Sequence, residues 1–172
     1  GVILDWTPAQ FPRYASGLEK FDGTPLYERQ NPAEAIHPFW GTLLYNYGSP
    51  MVKDFLISNA CFWAEVYHAD GLRMDDVDAM LYLDYGRNPG EWTPNIYGTN
   101  ENLDALEFLK HLNSVIKERN PGLLLVAQEN GLWPELTDSV ENDHLGFDYK
   151  WSGGWTKDLL EYLSKDPIER KN

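Results

Sequence analysis

Four short apolar runs, alternating with stretches of helical period, constrain this chain more than any other feature. The runs are Val2 to Trp6, Gly71 to Asp75, Leu123 to Gln128 and Phe147 to Trp151, each of strand length. Ser49 and Pro50 open the first helical stretch as cap and first-turn proline, and Val52, Phe55, Leu56, Ala60, Trp63, Val66 and Tyr67 then fall on one face. A second stretch runs from about Glu101 to Arg119 on Leu103, Leu106, Leu109, Leu112 and Ile116, with Pro121-Gly122 as its stop. A third, Gly154 to Ser164, uses Trp155, Leu159, Leu160 and Leu163. This order spells an α/β fold with a parallel sheet. The strands are expected side by side in chain order, joined by right-handed crossovers, with the three helices packed outside. The run Leu123 to Ala127 shows no alternation, which predicts a strand covered on both faces.

Residues 7–48 and 77–99 show little helix or strand pattern. Connections of that length in a compact domain usually carry function. In a barrel of parallel strands they sit on the face where active sites form. The 172 residues suffice for one core but fall short of the about 250 of a whole eight-stranded barrel. The chain opens on Gly1 inside an apolar run, as expected of a piece of a longer protein.

The net charge of −13 argues against a nucleic-acid partner, because phosphate binding needs clustered Lys and Arg. No apolar run reaches the about 18 residues of a membrane span. The lone Cys61 lies in an apolar stretch, reads as a buried core residue, and favours a reducing, cytoplasmic compartment. His37, His68, His111 and His144 lack ligand spacing and read as surface or packing residues. No metal, phosphate-loop or nucleotide motif appears, so no cofactor is expected.

The densest chemistry is DGLRMDD, Asp70 to Asp76. Strand parity puts Arg73 and Asp75 on one face and Asp76 on the other. A guanidinium favours the ionised form of a neighbouring carboxylate, which suits a nucleophile. Asp5 and the pair Gln128-Glu129 end neighbouring strands. Parallel strands lie about 4.8 Å apart, so groups at their ends can approach the roughly 5–5.5 Å carboxyl separation of retaining glycosidases. Asp76, Asp78 and Asp84 read as solvated loop acids. Trp40, Tyr45, Tyr47, Tyr82, Tyr85, Trp92 and Tyr97 fall in the long loops, where they can stack on sugars or simply pack.

The strings GVILDWTPAQFP, GLEKFDGTPLYE, WGTLLYNYG, FLISNACFWAEVYHADGLRMDDVDAMLYLDY, GEWTPNIYGTNENLDALEFLK and LGFDYKW, with the trailing DPIER, cover the chain almost without a gap. Together they resemble the central catalytic barrel of bacterial α-1,4-glucan (glycogen) branching enzymes, of the α-amylase superfamily of glycoside hydrolases. The resemblance implies a partial (β/α)8 TIM barrel, about strands three to six. Residues 1–172 would form a piece of that domain, incomplete at both ends and partnered by the remainder of the parent barrel. It implies Asp75 as nucleophile, and substrate contacts from Asp5, Gln10, Arg73, Asp22-Gly23-Thr24 and Trp92-Thr93-Pro94-Asn95. The implied substrate is an α-glucan: glycogen, amylose or maltooligosaccharides. An α-1,4 bond is cleaved with retention through a glycosyl intermediate, and the chain passes to a 6-hydroxyl.

The departures from that pattern are as specific as the matches. Gln10 stands where the family has His, MDDV replaces VDAV, and Gln128 falls on the acid-base Glu. An amide has no proton to give, so Gln128 cannot serve as general acid. Glu129 is the fallback acid, but a one-residue step along a strand turns its side chain to the opposite face. The family's strand-seven His-Asp motif falls beyond Asn172. Three readings follow: a branching-enzyme segment of impaired competence, a non-catalytic glucan-binding paralogue, and, less well supported, an α-glucan hydrolase.

Overall fold

The computed structural model describes residues 1–131 and 133–171. In chain order it contains β1 (Ile3–Trp6), β2 (Gln10–Phe11), α1 (Pro32–Ala35), β3 (Leu43–Leu44), α2 (Pro50–Glu65), β4 (Gly71–Met74), α3 (Val77–Leu81), α4 (Leu103–Arg119), β5 (Leu124–Gln128), β6 (Tyr149–Trp151) and α5 (Gly153–Ser164). The long strands form one sheet in the order β1-β4-β5-β6, every pairing parallel. The expected strands are all present and in the expected order, each slightly shorter than its apolar run. Asp75 lies just past β4, although its N–H still donates to the Trp6 carbonyl at 3.0 Å.

Alternation sorts the sheet into two faces. Leu72, Met74, Leu125 and Ala127 are fully buried toward the helices. They meet Val52, Leu56 and Ala60 of α2, and Ala105, Phe108, Leu109, Leu112 and Ile116 of α4, in one core. Phe108 stacks on Tyr47 with ring centres 5.2 Å apart. Gly71 allows β4 and β5 to close up, since a Cβ there would sit 2.9 Å from the Leu124 carbonyl oxygen. Helix α4 is well terminated. The Asn102 side chain accepts from the Ala105 N–H, Asp104 sits in the first turn, and Lys117 and Arg119 sit in the last. Pro50 starts α2 as expected, but Ser49 makes no side-chain cap bond.

Two expectations are corrected. The run Leu123 to Ala127 is covered throughout on the helix side but only in part on the other face, where Val126 is buried while Leu124 is exposed. Helix α5 buries none of its residues, so only α2 and α4 of the three expected helices pack on the sheet. The long connections also hold more order than their sequences suggest. In residues 7–48, β2 and β3 pair antiparallel, and Phe11 packs on Tyr45 at 4.7 Å. Residues 77–99 begin with α3, all five residues of which are buried. The Arg87 guanidinium ties the two connections together by donating to the carbonyls of Ala33, Glu34 and Ile36 at 2.7, 3.0 and 2.7 Å.

Phe108→Ala is expected to cost about 3–5 kcal/mol, the range for emptying a fully buried aromatic site. Leu160→Ala on the uncovered α5 should stay within about 0.5 kcal/mol. Urea unfolding of both variants checks the contrast.

Candidate functional site

The open face of the sheet gathers the polar groups. Asp5 lies beside Arg73 in register, and Gln128 lies beside Trp151. The Arg73 guanidinium bridges three strand ends. Its Nε donates to Asp5 Oδ1 at 2.6 Å, and its Nη1 donates to Asp75 Oδ1 at 3.2 Å and to Gln128 Oε1 at 2.9 Å. The Asp5 hydrogen bond to Arg73 holds that carboxyl below its usual value, and the same bond raises Arg73. The Trp151 ring centre lies 5.7 Å from the guanidinium carbon. Ile3, Asp5, Arg73, Val126, Gln128 and Trp151 line an open cleft of about 500 Å³.

Arg73, Asp75, Gln128 and Asp5 thus converge as their strand parity demands. Because one nitrogen binds both Asp75 Oδ1 and Gln128 Oε1, the two bond lengths cap the separation of those oxygens at about 6 Å. That is within reach of the roughly 5–5.5 Å pairing used for retaining glycoside cleavage. With Oε1 accepting from Arg73, Gln128 presents its NH₂ as a pure donor.

Glu129, read from the sequence as the fallback acid, does not face this cleft. Its side chain turns away from the cleft, is fully buried, and pairs with Lys150. Beside it lies Asp78, whose reading as a solvated acid is also corrected: it is only 4 % exposed. Asp78 Oδ2 accepts from the Asn130 N–H at 2.9 Å and Oδ1 from the Gly131 N–H at 3.3 Å. Burial is the main cause that pushes the Asp78 carboxyl up to about 6, with neighbouring Glu129 adding to the rise. Asp84 is likewise engaged, accepting from Asn100 Nδ2 at 2.9 Å.

Two of the departures from the branching-enzyme pattern touch each other. Gln10 Nε2 donates to Asp76 Oδ2 at 2.9 Å, and Gln10 Oε1 accepts from the Thr42 hydroxyl. The same Asp76 oxygen lies 2.8 Å from His37 Nε2. His37 is fully buried, and its Nδ1 accepts from the backbone N–H groups of Phe39 and Trp40 at 3.2 and 3.3 Å. A lone pair at Nδ1 leaves the proton on Nε2, pointed at Asp76. His37 is therefore a fixed member of this network as well as a packing residue. No sequence signal links it to Asp76, which lies 39 positions away.

The remaining loop candidates stand apart from the cleft lining. Asp22 forms a closed local turn, accepting from the Thr24 N–H and hydroxyl at 2.9 and 2.7 Å. Asn95 uses its whole amide within its own loop. It donates to Thr99 Oγ1 and the Glu101 carbonyl, and accepts from the Tyr97 and Thr99 N–H groups. Trp92 is half-buried in the same loop. Of the loop aromatics, Tyr45 and Tyr47 are core residues, whereas Trp40 and Tyr97 are exposed. Trp151, which does line the cleft, was not among the sequence candidates. Its matching parity with Gln128 across β5 and β6 is the signal that could have found it. No cluster of three metal-ligating side chains occurs among the described residues.

No family model matches the chain. Curated relatives do, over nearly its full length. It is 54% identical over 170 residues to a 1,4-alpha-glucan branching enzyme GlgB of Methylococcus capsulatus, covering 99% of this chain and 23% of that protein. It is 52% identical over 171 residues to the GlgB of Thermobifida fusca, and 55% over 170 residues to GlgB 2 of Rhizobium etli, again with 99% and 23% coverage. The chain therefore spans about a quarter of the length of these relatives. Among solved structures, an Anoxybacillus α-amylase aligns over 95% of this chain and 32% of its own at a TM-score of 0.64 and 15% identity. A maltogenic α-amylase, AmyB of Thermotoga neapolitana, aligns over 99% and 31% at a TM-score of 0.58 and 12% identity. These two share the fold, and the parallel sheet with its outer helices is a segment of an α/β barrel.

The Asp78 carboxyl gives a pH test. Its folded value lies above the ordinary 3.8, so the native state keeps a proton that the unfolded chain has released. That contribution to stability is complete below about pH 4 and is lost as pH rises through about 6. Asp78→Asn removes the titration. Its stability relative to the unmodified protein should therefore improve by about 2–3 kcal/mol between pH 4 and pH 7.5. Urea unfolding of both proteins across that range measures it, and a pH-independent difference would contradict the shift.

Proposed function

We infer that this stretch of 1,4-alpha-glucan branching-enzyme sequence forms the central part of a catalytic barrel whose cleft holds an α-glucan without cleaving it. The observation that carries this reading is the Arg73 bridge. The guanidinium binds Asp75 on one side and an amide, Gln128, on the other, where the enzyme pattern has a carboxylic acid. Asp75 and Asp5 both bond Arg73, in keeping with the nucleophile and substrate-contact roles read for them, and the Trp151 ring lines the cleft. An aromatic face beside charged and amide groups suits a sugar ring. The Gln128 NH₂ can donate to a glycosidic oxygen but cannot protonate it, so the bond is held and not broken.

General acid catalysis is typically worth about 10²–10⁴-fold, and its loss alone leaves little turnover. The anchored pair Gln10–Asp76 favours a settled non-catalytic role over random decay, since both residues depart from the enzyme pattern and are bonded to each other. The reading extends to an α-glucan such as glycogen, amylose or a maltooligosaccharide as ligand, to a cytoplasmic location, and to the rest of a barrel as structural partner. Branching and hydrolysis stand as what the same cleft would do with its acid restored.

The intact protein is expected to leave the iodine stain of amylose unchanged, while Gln128→Glu lowers it measurably. Adding Asp75→Asn to that variant should abolish the gain. New reducing ends without new branch points would point to hydrolysis. A fall in stain with the unmodified protein that Asp75→Asn abolishes would overturn the non-cleaving reading, and one that survives Asp75→Asn would overturn the assignment of Asp75 as well.

A further inference from the structure

A second crevice, sharing no residue with the cleft, lies between the two long connections and the start of α4. Arg29, Asn31, Glu34, Asn46, Leu83 and Asp104 are among its walls, and it encloses about 320 Å³. Its central feature is Arg29. The guanidinium is largely buried, its Nη2 meets no acceptor among the described residues, and the burial lowers its pKa. A buried guanidinium nitrogen without a hydrogen bond is costly, and such a group in a structured cavity points to an absent acceptor.

The surrounding groups restrict what that acceptor is. Of the charged groups in the crevice walls, Glu34 already accepts from the Thr93 hydroxyl at 2.7 Å, which leaves the Arg29 guanidinium with one free carboxylate, that of Asp104. That balance disfavours both an anion and a divalent cation. Asp104 and the Asn46 amide make no side-chain hydrogen bond among the described residues, and Gly48 leaves room for the Asp104 carboxylate, which a Cβ would approach at 2.9 Å. The free groups therefore include a guanidinium donor, a carboxylate acceptor and an amide that does both, with Leu83 as an apolar patch. Vicinal hydroxyls, which donate and accept at once, satisfy such a set. The volume admits one or two sugar rings, at the lower end of small-ligand pockets.

We propose that this crevice is a second saccharide site, which takes the end of an α-glucan while the cleft holds another part of it. The glucan identity of the ligand rests on the reading of the cleft, whereas the crevice as a polyhydroxyl site stands on its own residues. Calorimetric titration of the intact protein with maltotriose tests it. Two binding events per chain are expected. The double variant Asn46→Ala, Asp104→Ala should weaken one at least tenfold, and Trp151→Ala should weaken the other. Arg29→Lys should reproduce the first effect, while the Asn46 and Asp104 changes, at loop and helix surface, keep the test valid if Arg29 proves necessary for folding.

A single event removed only by Trp151→Ala overturns the crevice site and leaves the cleft reading intact. A single event removed only by the Asn46 and Asp104 changes supports the crevice and overturns the cleft reading. Absence of binding overturns both. Displacement of maltotriose from the crevice by inorganic phosphate would overturn its assignment to a neutral ligand.

Discussion

The register in which β4 lies between β1 and β5 is the constraint on which the rest of the molecule hangs. Asp5 pairs with Arg73, and Arg73 with Val126, so the guanidinium emerges at the centre of the open face with a strand on either side. From there it reaches Asp5, Asp75 and Gln128 together. A shift of one residue in either pairing would send Arg73 into the core and bring Leu72 or Met74 onto the open face. The buried residues on the helix side, Leu72, Met74, Leu125 and Ala127, forbid that shift. The hydrophobic packing of α2 and α4 thus fixes the geometry of the polar groups on the other side of the sheet.

The same parity explains the different fates of two adjacent residues. Gln128 faces the guanidinium, whereas Glu129 is turned toward α3 and meets Lys150 and Asp78. Two carboxyls and one ammonium in a buried site cannot all be charged cheaply, and the system responds by holding the Asp78 proton toward neutral pH. Proximity in sequence therefore gives Glu129 no access to the cleft.

The amides in this site are anchored. Gln128 accepts from Arg73, and Gln10 is held between Thr42 and Asp76. Asp76 adopts a left-handed backbone with φ 60°, a conformation that Asp tolerates better than most residues. It thereby aims one oxygen at both Gln10 and His37. An amide can satisfy the same neighbours as an acid or an imidazole while removing the transferable proton. A cleft can accordingly keep its shape when an amide stands in place of an acid.

Local periodicity made the four strands, the helices α2 and α4, and the shared face of Arg73 and Asp75 legible in the sequence. These follow from covalent geometry, in which side chains alternate on a strand and repeat every three or four residues on a helix. The position of Gln128 beside Asp75 also followed, because parity extends across a parallel ladder. What lay in contacts distant along the chain was not legible. The bond from His37 to Asp76, the burial of Asp78 over Glu129, the closed hydrogen bonding of Asn95, and the crevice around Arg29 all depend on how residues 7–48 and 77–99 fold back on the sheet. The apolar stripe of α5 shows the same limit from the other side, since its period specified a helix while only packing decides whether that face is covered. Sequence determined which groups could share a face, and tertiary structure decided which of them met, because burial and hydrogen-bond partners are set by segments that no local pattern connects.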